Sequence, residues 1–358
     1  MLALGVTVLS LAAAASATKS LKVSTAAPSE LTDVSDLSVT TTIVNTGDET
    51  LKLLTDPRSA LSSWATNTFA VTHADSGAGV DFTGVKVRYS PEAAAQLGEA
   101  ITTLAPGESI DVAHEGKIGR YYNFTGAGEG AFHFEPVSLF TAIEADGSLT
   151  ELRADTETAA VRLAGQLSTS KALSPSSLGG AADARFAARD LKKRAQYTSS
   201  CTSTYRSQTD AAITASSRLA SNSISHLEAN PSGSTLQTTW YGTFASSRYR
   251  ATLGAFEALV DSPSSWTYDC SCTESGTYAY VYPSQYGEVY LCGYFWQAPA
   301  TGSGSRADTI IHEGTHFPQV LGTDDVTYGE SSCKALARSN PAQAVNNADN
   351  HAFFSDYA

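Results

Sequence analysis

All five cysteines of this 358-residue chain, and thirteen of its sixteen tyrosines, lie beyond the basic run Lys192-Lys193-Arg194. So lopsided a distribution divides the chain into two bodies of different chemistry, each needing its own core. The Ser/Gly/Ala-rich stretch from Ser168 to Ala184 reads as an exposed linker between them. A basic run at such a boundary reads as a processing site, with Lys193 and Arg194 preceding the cut. The competing reading is a solvated helix end, because Ala187-Ala188-Arg189-Asp190-Leu191 has helical composition. The change in composition favours cleavage. Residues 18–194 are then a propeptide whose linker covers about 168–194, and residues 195–358 are the mature product.

The first seventeen residues, MLALGVTVLSLAAAASA, are uncharged and apolar and end in Ala15-Ser16-Ala17. That pattern is expected to be a signal peptide, cut after Ala17 and directing a secreted, extracellular product. It is too short to span a bilayer comfortably, and no later stretch reaches the roughly 20 apolar residues of a membrane helix. The composition, 42% hydrophobic and 16% charged, supplies packed cores. A formal charge of −13, from 23 basic and 36 acidic residues, argues against nucleic acid or an anionic membrane as partner.

The propeptide reads as all-β. Alternating, β-branched runs occur at 37–44, 69–72, 85–89, 110–113, 131–134 and 139–143, separated by turns such as Ala105-Pro106-Gly107. Short strands at this spacing predict an Ig-like sandwich. Asn123-Phe124-Thr125 is the one glycosylation sequon, because Asn230 precedes a proline. In the second body, exported cysteines are expected to pair. Cys270 and Cys272 are too close to bridge each other without strain and should go to different partners, Cys201 and Cys292, leaving Cys333 as a small buried residue in a helix.

The chemistry is concentrated in Ile310-Ile311-His312-Glu313-Gly314-Thr315-His316-Phe317. Two histidines at i and i+4 lie one helical turn apart and can reach one metal ion. The glutamate beside the first can take a proton from the attacking water as general base. A third ligand is required. The position six residues after His316 is Gly322, not histidine, which excludes the extended three-histidine pattern. The segment that follows, Gly322-Thr323-Asp324-Asp325-Val326-Thr327-Tyr328-Gly329, turns back and offers two carboxylates, Asp324 and Asp325, that chemistry alone does not separate.

The two motifs together resemble the aspzincin metallopeptidases, the deuterolysin and peptidyl-Lys metalloendopeptidase family. The resemblance covers essentially all of 195–358 and implies a helix-rich α+β zincin-type catalytic domain with one Zn²⁺ per chain. It places the ligands on His312, His316 and Asp325, the catalytic glutamate on Glu313 and a transition-state tyrosine on Tyr328. It implies the bridges Cys201–Cys270 and Cys272–Cys292. The C-terminal run from Asn340-Pro341 reads as one capped helix continuing to Phe354, and it is similar to the peptidyl-Lys enzymes, whose lysine-binding acid falls on Asp349. The second acid of that pair would fall on residue 352, which here is alanine.

The expected function is a secreted zinc endopeptidase made as a zymogen and cutting on the amino side of lysine. Its expected partners are polypeptide substrates, its own propeptide as inhibitor or chaperone, and a dibasic processing protease, with a monomeric mature form. The alternatives are a deuterolysin-like peptidase of broader specificity and a catalytically silent zinc-binding protein.

Overall fold

The computed structural model describes residues 18–98, 100–114, 116, 118–168 and 194–358; the expected leader and the processing residues Lys192 and Lys193 lie outside these described residues, whereas Arg194 is described and exposed.

The first body is built from strands. In chain order they are β1 (Leu21–Ala26), β2 (Glu30–Asp33), β3 (Thr40–Asn45), β4 (Leu51–Leu54), β5 (Phe69–His73) and β6 (Lys86–Tyr89). After a short helix α1 (Pro91–Leu97) come β7 (Ile101–Leu104) and β8 (Ser109–Ala113), then helix α2 (Ile118–Tyr121). The series closes with β9 (Gly130–Pro136), β10 (Leu139–Ile143), β11 (Leu149–Arg153), β12 (Asp155–Glu157) and β13 (Ala159–Gln166). All six strand regions read from alternation are present. Twelve of these strands form three four-stranded sheets, ordered β12-β1-β3-β8, β11-β10-β4-β7 and β2-β13-β9-β5. Side chains alternate inward along them, as the period of two requires. Phe69, Phe132, Phe134 and Val161 fill one core, and Leu21, Ile43, Leu53 and Phe140 another. Asn123 is exposed, beside the single helical turn Phe124–Gly126.

The second body is mostly helical. It contains β14 (Gln196–Tyr197), the 27-residue α3 (Ser203–Ala229), α4 (Thr235–Tyr241), α5 (Ser246–Leu259), β15 (Thr267–Asp269), β16 (Thr277–Val281) and β17 (Glu288–Leu291). It then continues through α6 (Arg306–Thr315), α7 (Glu330–Ser339), α8 (Pro341–Val345) and α9 (Ala348–Tyr357). The tyrosine-rich segments become β16 and β17, where Tyr280 and Tyr290 pair across the strands and stack at 4.6 Å. Disulfides join Cys201 to Cys270 and Cys272 to Cys292, and Cys333 is free and buried in α7.

The C-terminal run is not one helix. It breaks at Asn346-Asn347 into α8 and α9. Asn347 turns its carbonyl Oδ1 to the backbone N–H groups of Val326 and Thr327, at 2.9 and 3.1 Å. Tertiary hydrogen bonding to the neighbouring loop thus overrides a continuous helical pattern.

The sixth strand region leaves its own body. β6 adds antiparallel to the edge strand β16, giving a sheet ordered β14-β15-β17-β16-β6, with Arg88 opposite Ala279 and Val87 opposite Tyr280. No helix among the described residues is long and apolar enough to cross a membrane.

Candidate active site

α6 is the frame of the site. Ser305 caps it by accepting from the Asp308 N–H at 3.2 Å, and every residue from Ala307 to Thr315 is buried. The helix packs against α3 on one side and α9 on another. Gly314 permits this closeness, because a Cβ there would stand 2.4 Å from a Leu259 methyl and 2.8 Å from the Trp266 ring. His312 and Glu313 occupy the last turn, and His316 follows directly.

Gly322, with φ of +74°, then reverses the chain, as the turn chemistry predicts. The returning loop is pinned to the α8–α9 junction: the Asp324 N–H donates to the Asn346 carbonyl at 2.7 Å, and Ala348 N–H to the Asp324 carbonyl at 3.0 Å. This geometry separates the two acids. The Asp324 side chain is half exposed and paired with Lys86, whereas Asp325 points inward.

Asp325 Oδ1 lies 3.1 Å from His312 Nε2 and 3.2 Å from His316 Nε2, and the two Nε2 atoms are 3.2 Å apart. Ligands about 2.0–2.1 Å from a tetrahedral zinc ion stand about 3.3 Å from one another, so this triangle fits such an ion. The other ring nitrogens are fixed from behind: His312 Nδ1 by Asp349 Oδ1 at 2.8 Å, and His316 Nδ1 by the Thr323 carbonyl at 2.9 Å. Both Nε2 atoms are thereby turned toward the shared point. The donor set and its support fit a metal ion.

The electrostatics agree. Burial works against charge on His312, yet its contacts with Asp325 and Asp349 raise it to about 9. Burial also works against charge on Asp325, yet His316 and His312 hold its carboxyl well below the usual range. The site thus favours positive charge at its centre. Burial pushes the Glu313 carboxyl up to about 8, with Asp325 adding to that and His312 and Arg88 opposing it. Neither Glu313 oxygen has a close hydrogen bond, although the Arg88 backbone N–H lies near enough to favour the charged form. Burial, reinforced by the Asp325 charge, pushes the Tyr328 hydroxyl well up, so it stays a proton donor at neutral pH.

β6 runs through this centre. Val87 N–H donates to Asp325 Oδ2 at 2.8 Å, and the Val87 carbonyl accepts from the Tyr328 hydroxyl. The peptide bond between Val87 and Arg88 therefore sits with its oxygen on Tyr328 and its nitrogen toward Glu313. Beside it, between the two bodies, a cavity of about 290 Å³ is lined by Arg58, Lys86, Asp325 and Tyr328 among others. Arg58 stacks its guanidinium 4.1 Å from the centroid of the Tyr328 ring and pairs with Asp56 at 2.6 Å.

All six residues singled out in the second body, His312, Glu313, His316, Asp325, Tyr328 and Asp349, are brought together. Asp349 holds a place that sequence reasoning did not give it. Its carboxylate is buried, bonded to His312 and to the Gly329 N–H at 2.9 Å, and 3.6 Å from Arg88 Nε. Burial opposes its charge, but His312, Arg88 and the Gly329 N–H keep it below the ordinary carboxylate range. Two neighbours were missed altogether. Asp308 reads from sequence only as a helix-start acid, and Arg88 as one residue of a strand more than two hundred positions away.

Comparisons with known proteins identify the chain's relatives. The family described as "Lysine-specific metallo-endopeptidase", the aspzincins, matches residues 226–356. A peptidyl-Lys metalloendopeptidase of Armillaria mellea is 40% identical over 350 residues, covering 96% of this chain and 94% of that protein. One of Grifola frondosa is 39% identical over 355 residues, covering 98% and 97%. A solved zinc peptidase of Grifola frondosa is 42% identical over 44% of this chain and 96% of its own, with a TM-score of 0.43. With relatives of this identity matched over nearly their full length, the chain belongs to the aspzincin metallo-endopeptidases.

Proposed function

We propose that this chain is the secreted precursor of a zinc endopeptidase that cuts on the amino side of lysine. In this reading residues 1–17 are the signal peptide and 18–194 an inhibitory propeptide with an immunoglobulin-like sandwich architecture. Cleavage after Lys193-Arg194 by a dibasic processing protease releases 195–358, which acts as a monomer on polypeptide substrates, and Asn123 of the propeptide carries the glycan. The observation that carries the reading is the passage of a peptide bond, Val87–Arg88, through a centre made of two histidines, Asp325, Glu313 and Tyr328.

His312, His316 and Asp325 would hold the zinc ion, one per chain. When bound, it supplies Lewis acidity, lowering the pKa of water and polarising the scissile carbonyl. β6 marks how a substrate lies: antiparallel to β16, its backbone N–H on Asp325 and its carbonyl on Tyr328. Glu313, buried and without a tight partner, acts in its charged form, which the positive charge of a bound ion would favour against the burial that raises its pKa. It takes a proton from the attacking water and delivers it to the leaving nitrogen. Tyr328, still protonated, donates to the oxygen as it gains charge. A catalytically silent zinc-binding protein would have no use for Glu313 and Tyr328 in these positions. Lysine preference is supported by the names of the relatives and by the Asp349 carboxylate on the leaving-group side.

The test is digestion of an unstructured protein by the processed enzyme, with the products sequenced by mass spectrometry. Cuts before lysine that stop on chelation and return with zinc are expected. Hydrolysis that survives complete metal removal would overturn the proposal.

A further inference from the structure

From β6, Arg88 reaches into a closed polar pocket. Its side chain is 3% exposed. The guanidinium meets Asp308 with both arms, Nη1 to Oδ1 at 2.5 Å and Nη2 to Oδ2 at 2.9 Å. Nη1 also donates to Thr309 Oγ1 at 2.9 Å, Nε stands 3.6 Å from Asp349 Oδ1, and the group lies 4.9 Å from the centroid of the Tyr278 ring. Arg88 directly follows the carbonyl that Tyr328 holds, so it occupies the leaving-group side of the bond at the centre.

We infer that this is the enzyme's P1′ pocket, that Asp308 is its specificity-determining acid, and that the enzyme therefore hydrolyses bonds on the amino side of arginine as well as lysine. The inference deepens the peptidase reading above and rests on it. The reaction is the same hydrolysis: water adds its hydroxyl to the carbonyl carbon, the C–N bond breaks, and the proton goes to the amine of the arginine.

Three features support it. The contact is two-pronged, which suits the planar fork of a guanidinium and which an ammonium cannot reproduce. Asp308 is already aimed before a substrate arrives, because Gly304 N–H donates to its Oδ2 at 2.8 Å and the Ser305 hydroxyl to its Oδ1 at 3.2 Å. Asp349, the acid expected to read the substrate, spends Oδ1 on His312 and Oδ2 on Gly329 and meets the guanidinium only at 3.6 Å. With alanine at 352, the full carboxylate contact falls to Asp308.

The experiment uses the enzyme matured from the full-length chain. Its kcat/KM is measured on matched peptides differing only in lysine, arginine or alanine after the scissile bond, beside a cleavage profile of an unstructured protein. Cleavage before arginine is expected within about tenfold of that before lysine, and both at least about a hundredfold above alanine, the range that one or two charge-assisted contacts supply. Asp308→Asn removes the charge and keeps one side-chain oxygen, which can still accept from the Gly304 N–H, while the Ser305 hydroxyl can turn to accept from the new amide. It is expected to retain zinc and to lower cleavage before arginine about ten- to a hundredfold, more than before lysine, shifting the arginine-to-lysine ratio. A merely structural role for Asp308 would depress both substrates alike. Cleavage confined to lysine, or an unchanged ratio in the variant, would overturn the inference and leave the peptidase reading standing. No hydrolysis of any peptide would overturn both. The parent profile decides the matter even if the variant does not accumulate.

Discussion

At the centre of the site, three donor atoms stand 3.1–3.2 Å apart, and each histidine is braced at its far nitrogen. Asp325→Ala should lose the ion, whereas Asp324→Ala, on a half-exposed acid facing Lys86, should keep it; zinc content after dialysis distinguishes the two. Asp349→Asn should weaken zinc binding about ten- to a hundredfold, because it removes the carboxylate behind His312. The resemblance assigns Asp349 to lysine binding; the hydrogen bond to His312 extends its expected reach to turnover of every substrate. The proton on His312 adds a pH signature. With its ring held up to about 9, zinc must displace a proton at neutral pH. Affinity of the metal-free protein should then rise about tenfold per pH unit between pH 6 and 8, the slope of one released proton. Competition with a calibrated chelator measures it, and a flat profile would contradict the assignment.

At the scale of elements, β6 is the strand that carries the first body into the second body's sheet. It supplies the fifth strand of the second body's sheet, a backbone N–H for Asp325, a carbonyl for Tyr328 and a buried ion pair for Asp308. Breaking a buried pair by removing one partner costs about 3–5 kcal/mol. Arg88→Ala in the full-length precursor should therefore raise its peptide hydrolysis before processing by at least about tenfold; a variant as silent as the parent would show that β6 does not impose latency. The elements themselves were partly legible. Alternation located β6 as a strand, and the spacing His312-x-x-x-His316 located a helix, because both signals are local in the chain. The break between α8 and α9 was not legible, since it depends on Asn347 bonding to a loop twenty residues earlier. Nor was the partner of β6, because sheet pairing across some 190 residues leaves no trace in a local pattern.

At the scale of the molecule, the described residues up to 168 are mostly strands in three sheets, and those from 194 on form a disulfide-tied, helix-rich body. Motif spacing proposes His312 and His316 as ligands and the resemblance adds Asp325; in the structure it is Asp325, not the half-exposed Asp324, that meets both histidines. Asp308 stayed hidden because Ser305-x-x-Asp308 is sufficiently explained as a helix start. Replacing Lys192-Lys193-Arg194 with uncharged residues should leave a full-length, silent precursor, checked by electrophoresis and hydrolysis of the secreted product. An active enzyme whose N-terminus lies far from Ala195 would count against that boundary.

The central claim is that Glu313 moves the proton while His312, His316 and Asp325 hold the ion. The most direct measurement is zinc stoichiometry and peptide hydrolysis, side by side, for the processed parent and for Glu313→Gln. One zinc per chain is expected in both, with hydrolysis in the variant reduced by at least about a hundredfold, the scale on which removing a general base acts. A variant that keeps its zinc and most of its activity would contradict the mechanism.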